Sequence, residues 1–415
     1  MRPTCPPWSK IPLALGLTLL AGAGVANAVT FRVNSYNDRP DPNPGDRICG
    51  RSLSRFPLPG RPGIPTECTL RAAIQESNRL RSSDVVLLSA GIYKLKLGEL
   101  VVGGRAGIGI APGLPGTLTI RPAAPEGRTS IQGDGKSRIF HTLGDVFLRS
   151  PLALERINLS RGFVRGDGGA IRAEGPVSLT QVTITGSRAL RPEGASGGSG
   201  AAIAASARVT MTDVTVRANQ AANQGVVFLD AGGDLERVSI SQNRVTEQAD
   251  GALYGRDMNV RNSTLSGNTG IDVEGVEMAA EVTSLSNTVL DMVTIASRRD
   301  LPQRSLQGDD LGLGGLQYTL HGSIIDGTCV TSLVPASQGG NVERGDTCNL
   351  TDATDVRDAD PLIGEIGQNG GVTSTIPLLP GSPALGIVQI NCPTTDQRGV
   401  ARPAEGCDAG AFEAP

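Results

Sequence analysis

The feature that most constrains this chain is a six-residue pattern that returns at near-constant spacing. The template apolar-x-x-(Ile/Val/Ser)-x-(Leu/Ile/Val) matches Leu154–Leu159, Leu179–Ile184, Met211–Val216, Leu235–Ile240 and Val260–Leu265. Weaker copies follow at Leu290–Ile295 and Leu320–Ile325, so successive starts lie 25, 32, 24, 25, 30 and 30 residues apart. A second landmark keeps step: Gly168-Gly-Ala-Ile171, Gly200-Ala-Ala-Ile203, Gly225-Val-Val-Phe228 and Gly251-Ala-Leu-Tyr254. A third is the polar turn marked by Asn219, Asn243 and Asn268. A single unit of about 25 residues cannot bury its own apolar face, whereas stacked units bury a continuous column and pair their backbone edges. The spacing predicts an all-β, single-stranded, right-handed parallel β-helix of about 9–10 coils, about 45 Å long, with the template strands forming one long sheet. Propeller blades of 40–50 residues do not fit this period, and the leucine/asparagine signature of leucine-rich repeats is absent.

Composition agrees. The chain holds 55 Gly among 415 residues and few aromatics (seven Phe, four Tyr, one Trp). Helix interiors would lose about 1 kcal/mol per Gly, whereas turns and a narrow bore accept small residues. With 38 Lys and Arg against 41 Asp and Glu, the net charge of −3 argues against a nucleic-acid partner.

Residues 1–28 read as a secretory signal peptide: Arg2 and Lys10, then the apolar run Ile11–Ala26, then Ala26-Asn27-Ala28. The run is too short and Gly-rich for a membrane span. Cleavage leaves Val29–Pro415, removes the sole Trp, Trp8, and moves the net charge to −5. No transmembrane segment is expected in the mature chain, which is expected to be a monomer, extracellular or at the cell surface, with the periplasm as the alternative. The remaining organisation is a loop and helix cap over 29–83, a β-helix over 84–330, and final coils with a C-terminal cap over 331–415. Thr69 is the expected N-cap of a capping helix over Leu70–Arg79.

Six cysteines stay in the mature chain. They allow 15 pairings, and their clustering favours Cys49–Cys68, Cys329–Cys348 and Cys392–Cys407. With no C-x-x-C and only two histidines, His141 and His321, neither a zinc site nor any other metal or cofactor is expected.

Cys68-Thr-Leu-Arg-Ala-Ala-Ile-Gln-Glu-Ser-Asn78, followed by Asp84–Leu88 and Ala90-Gly-Ile-Tyr93, resembles the N-terminal C-S-L-R-E-A-type motif of bacterial exported β-helix proteins. The tail, with Asp360-Pro-Leu362, Asn369-Gly-Gly371, Asp396-Gln-Arg-Gly399 and Cys407-Asp-Ala-Gly-Ala-Phe-Glu413, resembles the choice-of-anchor Q domain. The coils between resemble pectin-lyase-like proteins. The resemblance implies an exported right-handed β-helix with no activity common to its members. It also places Asp396, Arg398 and Asp408, with Arg402 and Glu413, in an ion-paired terminal cap.

Such folds host polysaccharide lyases and hydrolases, but fold alone does not assign function. Asp309, Asp310 and His321 are the catalytic candidates; they faintly resemble the polygalacturonase-type arrangement, whose other motifs are absent. Asp309 and Asp310 also lie in a Gly-rich turn where Asp is expected. Asp272, Glu274 and Glu277 fall in one segment rather than at the coil period. The leading expectation is a non-enzymatic scaffold binding a polysaccharide, matrix or host surface; the alternative is a polysaccharide lyase or glycoside hydrolase. Insertions at 188–200 and 298–315 are the places for either activity. The Asn row is expected to bond along the stack.

Overall fold

The computed structural model describes residues 28–50, 67–80, 82–103, 116–144, 150–248, 250–272, 274–308, 318–330 and 335–415. Residues 1–27 of the expected leader and the Asp309–Asp310 pair lie outside them. The described strands form three sheets of 11, 10 and 14 strands, here sheets 1, 2 and 3. All the named strand pairings are parallel except Thr269–Ile271 with Glu277–Ser284. Neighbours within a sheet come from successive coils, which makes this a parallel β-helix. Eleven rungs at the strand spacing span about 48 Å.

Register fixes what faces inward. Leu154, Leu179, Met211, Leu235, Val260, Leu290 and Leu320 stack as one column in sheet 1. Leu159, Ile184, Val216, Ile240, Leu265, Ile295 and Ile325 stack in sheet 2. All of these are buried, and each such side chain contributes roughly 1.5–3 kcal/mol.

The template is not one strand of a single long sheet. It turns a corner: Leu152–Glu155 lies in sheet 1 and Ile157–Ser160 in sheet 2. The bend is one left-handed residue, the third of the template, in all seven copies. These are Arg156, Gln181, Asp213, Arg237, Asn262, Met292 and Gly322, with φ between 44° and 57°. Six of the seven carry a Cβ, which disfavours that conformation; the stacked ladders on both sides hold it.

The Asn row sits at the next corner. Asn219 Nδ2 donates to Asn243 Oδ1 (3.1 Å), and Asn243 Nδ2 donates to Asn268 Oδ1 (2.9 Å). The row ends on Glu281, which accepts from Asn268 Nδ2 and Asn268 N. Glu281 arrives there because the chain reverses after Ile271 and returns antiparallel, joining the two arms of sheet 3.

Both ends carry additions. The helix spans Leu70–Ser77, shorter than expected, and Thr69 accepts from Ala72 N as its N-cap. Leu70, Ala72, Ala73 and Ile74 are buried against the first coils. Arg71 binds Asp38 (2.6 Å) and the carbonyls of Gly98 and Glu99, tying helix to coil. The three disulfides are Cys49–Cys68, Cys329–Cys348 and Cys392–Cys407. The tail folds back along the flank of the last coils. Gln397 accepts from Thr264 Oγ1 (2.7 Å), Thr373 Oγ1 reaches Arg237 O, and Ala411 N reaches Thr294 Oγ1 (2.9 Å). This covers Ser239, Thr264 and Thr294, whose outward side chains in sheet 2 are buried. No helix of the described residues is long and apolar enough to cross a membrane.

Candidate functional site

The second landmark leads to the outward face of sheet 3. Aligned on their glycines, its copies would put Phe228 and Tyr254 at the inward positions of Ile171 and Ile203. The register instead pairs Ile203 with Val227 and Leu253, one residue earlier. A one-residue slip exchanges faces, so Phe228 and Tyr254 point outward. The outward row runs Val101, His141, Arg172, Ala204, Phe228, Tyr254 and Thr283.

Two groups stand on this row. At one end Phe228 and Tyr254 lie with ring centroids 5.7 Å apart, tilted by 40°. Phe228 is partly exposed and Tyr254 backs it, its hydroxyl accepting from Gln224 Nε2 (3.2 Å). Gly225, at φ +56°, permits this approach: a Cβ there would meet Tyr254 Cβ at 2.7 Å. Scattered in sequence, the two aromatics become neighbours only through the coil.

At the other end is an ion-pair network. His141 lies between Glu99 (Nδ1 to Oε1, 3.4 Å) and Glu174 (Nε2 to Oε1, 3.3 Å). Arg138 binds Glu99 at 2.7 Å, and Arg172 binds Asp167 at 3.2 Å. Hydrogen bonding to His141 and Arg138 brings Glu99 down to about 2, and the two carboxylates raise His141 above its ordinary value. A carboxylate at each nitrogen favours the charged form of the ring and weakens it as a general base. A glycosidase carboxylate pair needs open space for sugar and water between its members. Here the imidazole fills that space.

The described sequence candidate, His321, sits elsewhere. Asp309 and Asp310 fall outside the described residues. His321 is 4% exposed, with Nδ1 on Asp291 (2.8 Å) and Nε2 donating to Ile390 O (3.1 Å). It holds the tail against sheet 1 and faces no open site. Asp272 Oδ1 accepts from Glu274 N and Val276 N within its own turn. Among the described residues, the one cluster of metal-ligand type is Cys329, Glu343 and Cys348. Its cysteines form a disulfide, and Glu343 Oε1 accepts from Thr347 and Cys348, so its donor set does not fit a metal.

The tail residues form a bonded group. Arg398 binds Asp396 and lies 3.5 Å over the Phe412 ring. Asp408 accepts from Gly386 N and Ala414 N, and Arg402 binds Glu413 at 2.7 Å. Gln397, between Asp396 and Arg398, was not legible as a contact residue, yet it carries the docking to Thr264 and Val238.

No family model matches the chain, and no curated protein matches it. Among solved structures, the crystal structure of pectate lyase Pel9A is similar over 94% of this chain and 98% of its own, at 12% identity and a TM-score of 0.37. That likeness carries no inference about activity, and the strand register stands as the evidence for the fold.

Proposed function

We propose that this protein is an exported, non-enzymatic β-helix scaffold that binds polysaccharide along the outward face of sheet 3. The observation that carries the reading is the partly exposed Phe228 ring, backed by the buried Tyr254 that Gln224 holds in place. Sugar rings stack on such surfaces through their C–H faces while their hydroxyls meet polar rims. Ala204 and Tyr254 on either side of Phe228 are buried, so a glycan stacked on Phe228 next meets the partly exposed Arg172 two rungs, about 10 Å, away. Export is supported by the leader at 1–28, by three disulfides, and by the resemblance of the N-terminal and tail motifs to exported β-helix proteins. The imidazole lodged between Glu99 and Glu174 supports binding without turnover.

The test is affinity electrophoresis of Val29–Pro415 through gels containing single polysaccharides. At least one polymer should retard the protein, and Phe228→Ala should weaken that retardation about tenfold, the loss of roughly one stacking contact. Equal retardation of the variant would remove the aromatic row from the reading.

A further inference from the structure

The charges around the aromatic row narrow the class of glycan, an inference that rests on the binding role just proposed. Along the outward row and its immediate flanks four cations have carboxylate partners, while the exposed Arg165 and Arg188 lie on the other arm of sheet 3. Arg138 has Glu99, Arg172 has Asp167, Arg256 has Asp230 at 3.1 Å, and His141 has Glu99 and Glu174. Three arginines and a histidine thus meet four carboxylates. An acidic polymer lying on the row would find these four cations already paired. It would have to displace an intramolecular carboxylate, or lay its own against Glu99, Glu174 and Asp167 at the cost of like-charge repulsion. A neutral sugar brings no such charge. Its apolar face suits Phe228, and its hydroxyls can donate to or accept from half-exposed charged groups and Gln224.

We propose that the sheet 3 face takes a neutral polysaccharide and discriminates against uronate-rich and sulfated ones. Specificity of this kind is set by what the site repels as much as by what it attracts.

The experiment compares the exported chain in gels containing neutral polymers (dextran, xylan, mixed-linkage β-glucan) and acidic ones (polygalacturonate, alginate, heparin), each at low and high salt. The expected result is retardation by a neutral polymer, unchanged by salt, with acidic polymers at least about tenfold weaker. A second variant reads the electrostatics directly. Asp167→Asn with Glu174→Gln leaves Arg172 and one edge of His141 uncompensated, and should create salt-sensitive binding to polygalacturonate, provided its circular dichroism matches the parent. Wild-type binding to acidic polymers alone, weakened by salt, would overturn the neutral preference and leave the glycan role standing. Failure of every polymer to retard the protein would overturn both. A correctly folded double variant with no gain toward polygalacturonate would also overturn the charge argument.

Discussion

Replacing Asn243 by Ala tests how the coils are held at their second corner. The Asn243 side chain is 1% exposed and makes four hydrogen bonds. Its amide donates to Val216 O (3.0 Å) and Asn268 Oδ1 (2.9 Å), and its oxygen accepts from Asn219 N (3.0 Å) and Asn219 Nδ2 (3.1 Å). Truncation strands the Asn219 backbone N–H in the interior, at about 1–3 kcal/mol, and removes three further bonds worth about 0.5–1.5 kcal/mol each. Asn219 Nδ2 keeps Ile184 O, and Asn268 Oδ1 keeps Asn243 N, so the sum is reduced to about 3–4 kcal/mol. Asn243→Asp should cost more, because a carboxylate oxygen would then face the carbonyl oxygens of Val216 and Asn268. The control is Asn259→Ala, an exposed residue with one bond to Asp234, expected within about 0.5 kcal/mol of wild type. Urea midpoints give the energies, and hydrogen exchange adds a local readout. The Asn219 amide should lose protection in Asn243→Ala and keep it in Asn259→Ala. Equal midpoints for the two Ala variants, or an unchanged Asn219 amide, would refute the ladder as an energetic element.

Three further outcomes are expected. Partner carboxylates raise His141 and His321 above 6.5, and burial raises Glu281 from 4.5 to about 8. All three bind protons more tightly when folded, so their stabilisation is complete below the unfolded values and is lost as pH rises through the folded ones. Glu99, brought down to about 2, acts at the acid end, where its contribution disappears as pH falls. The urea midpoint should therefore decline from about pH 5 to about pH 9, and Glu281→Gln should flatten the part below about pH 8; a midpoint that rises over this range would contradict the protonation states assigned. Converting Cys392 and Cys407 to Ser opens a loop of sequence separation 15 and should cost about 3 kcal/mol, read as early proteolysis within 356–415; cleavage at the wild-type rate would argue against it. Gly410 sits at φ +84°, and a Cβ there would meet Thr294 Oγ1 at 2.6 Å and Ile324 Cδ1 at 2.7 Å. Gly410→Ala should loosen the tail and speed exchange of the Ala411 amide, and an unchanged amide would show that the contact yields without cost.

The coil period was legible because inward apolar residues must recur wherever a coil closes, and Leu154, Leu179 and Met211 do so in register. The corners were not, because the left-handed position is filled by Arg156, Gln181, Asp213, Arg237, Asn262 and Met292, a mix of charged, amide and apolar side chains. Gly322 announces such a bend, and Asp213 and Asn262 do so more weakly. The helix cap was readable from Thr69 and the spacing of Leu70, Ala73 and Ile74, since N-capping is local. The aromatic row was half legible. Phe228 and Tyr254 end two copies of the second landmark, but alignment on glycine hid that Val227 and Leu253 take the inward positions. Hydrophobicity at both positions left the face undecided, and only strand pairing chose it. His141 was invisible as part of a cluster because Glu99 lies 42 residues away from it and Glu174 33.

Binding without cleavage is checked by prolonged incubation of purified Val29–Pro415 with the polysaccharide that retards it. Reducing ends and unsaturated-uronide absorbance are followed against a protein-free blank. Neither signal should exceed the blank while binding persists. Reducing ends or unsaturated products that accumulate in proportion to protein, and vanish on Glu174→Gln or on Asp309→Asn with Asp310→Asn, would contradict that expectation.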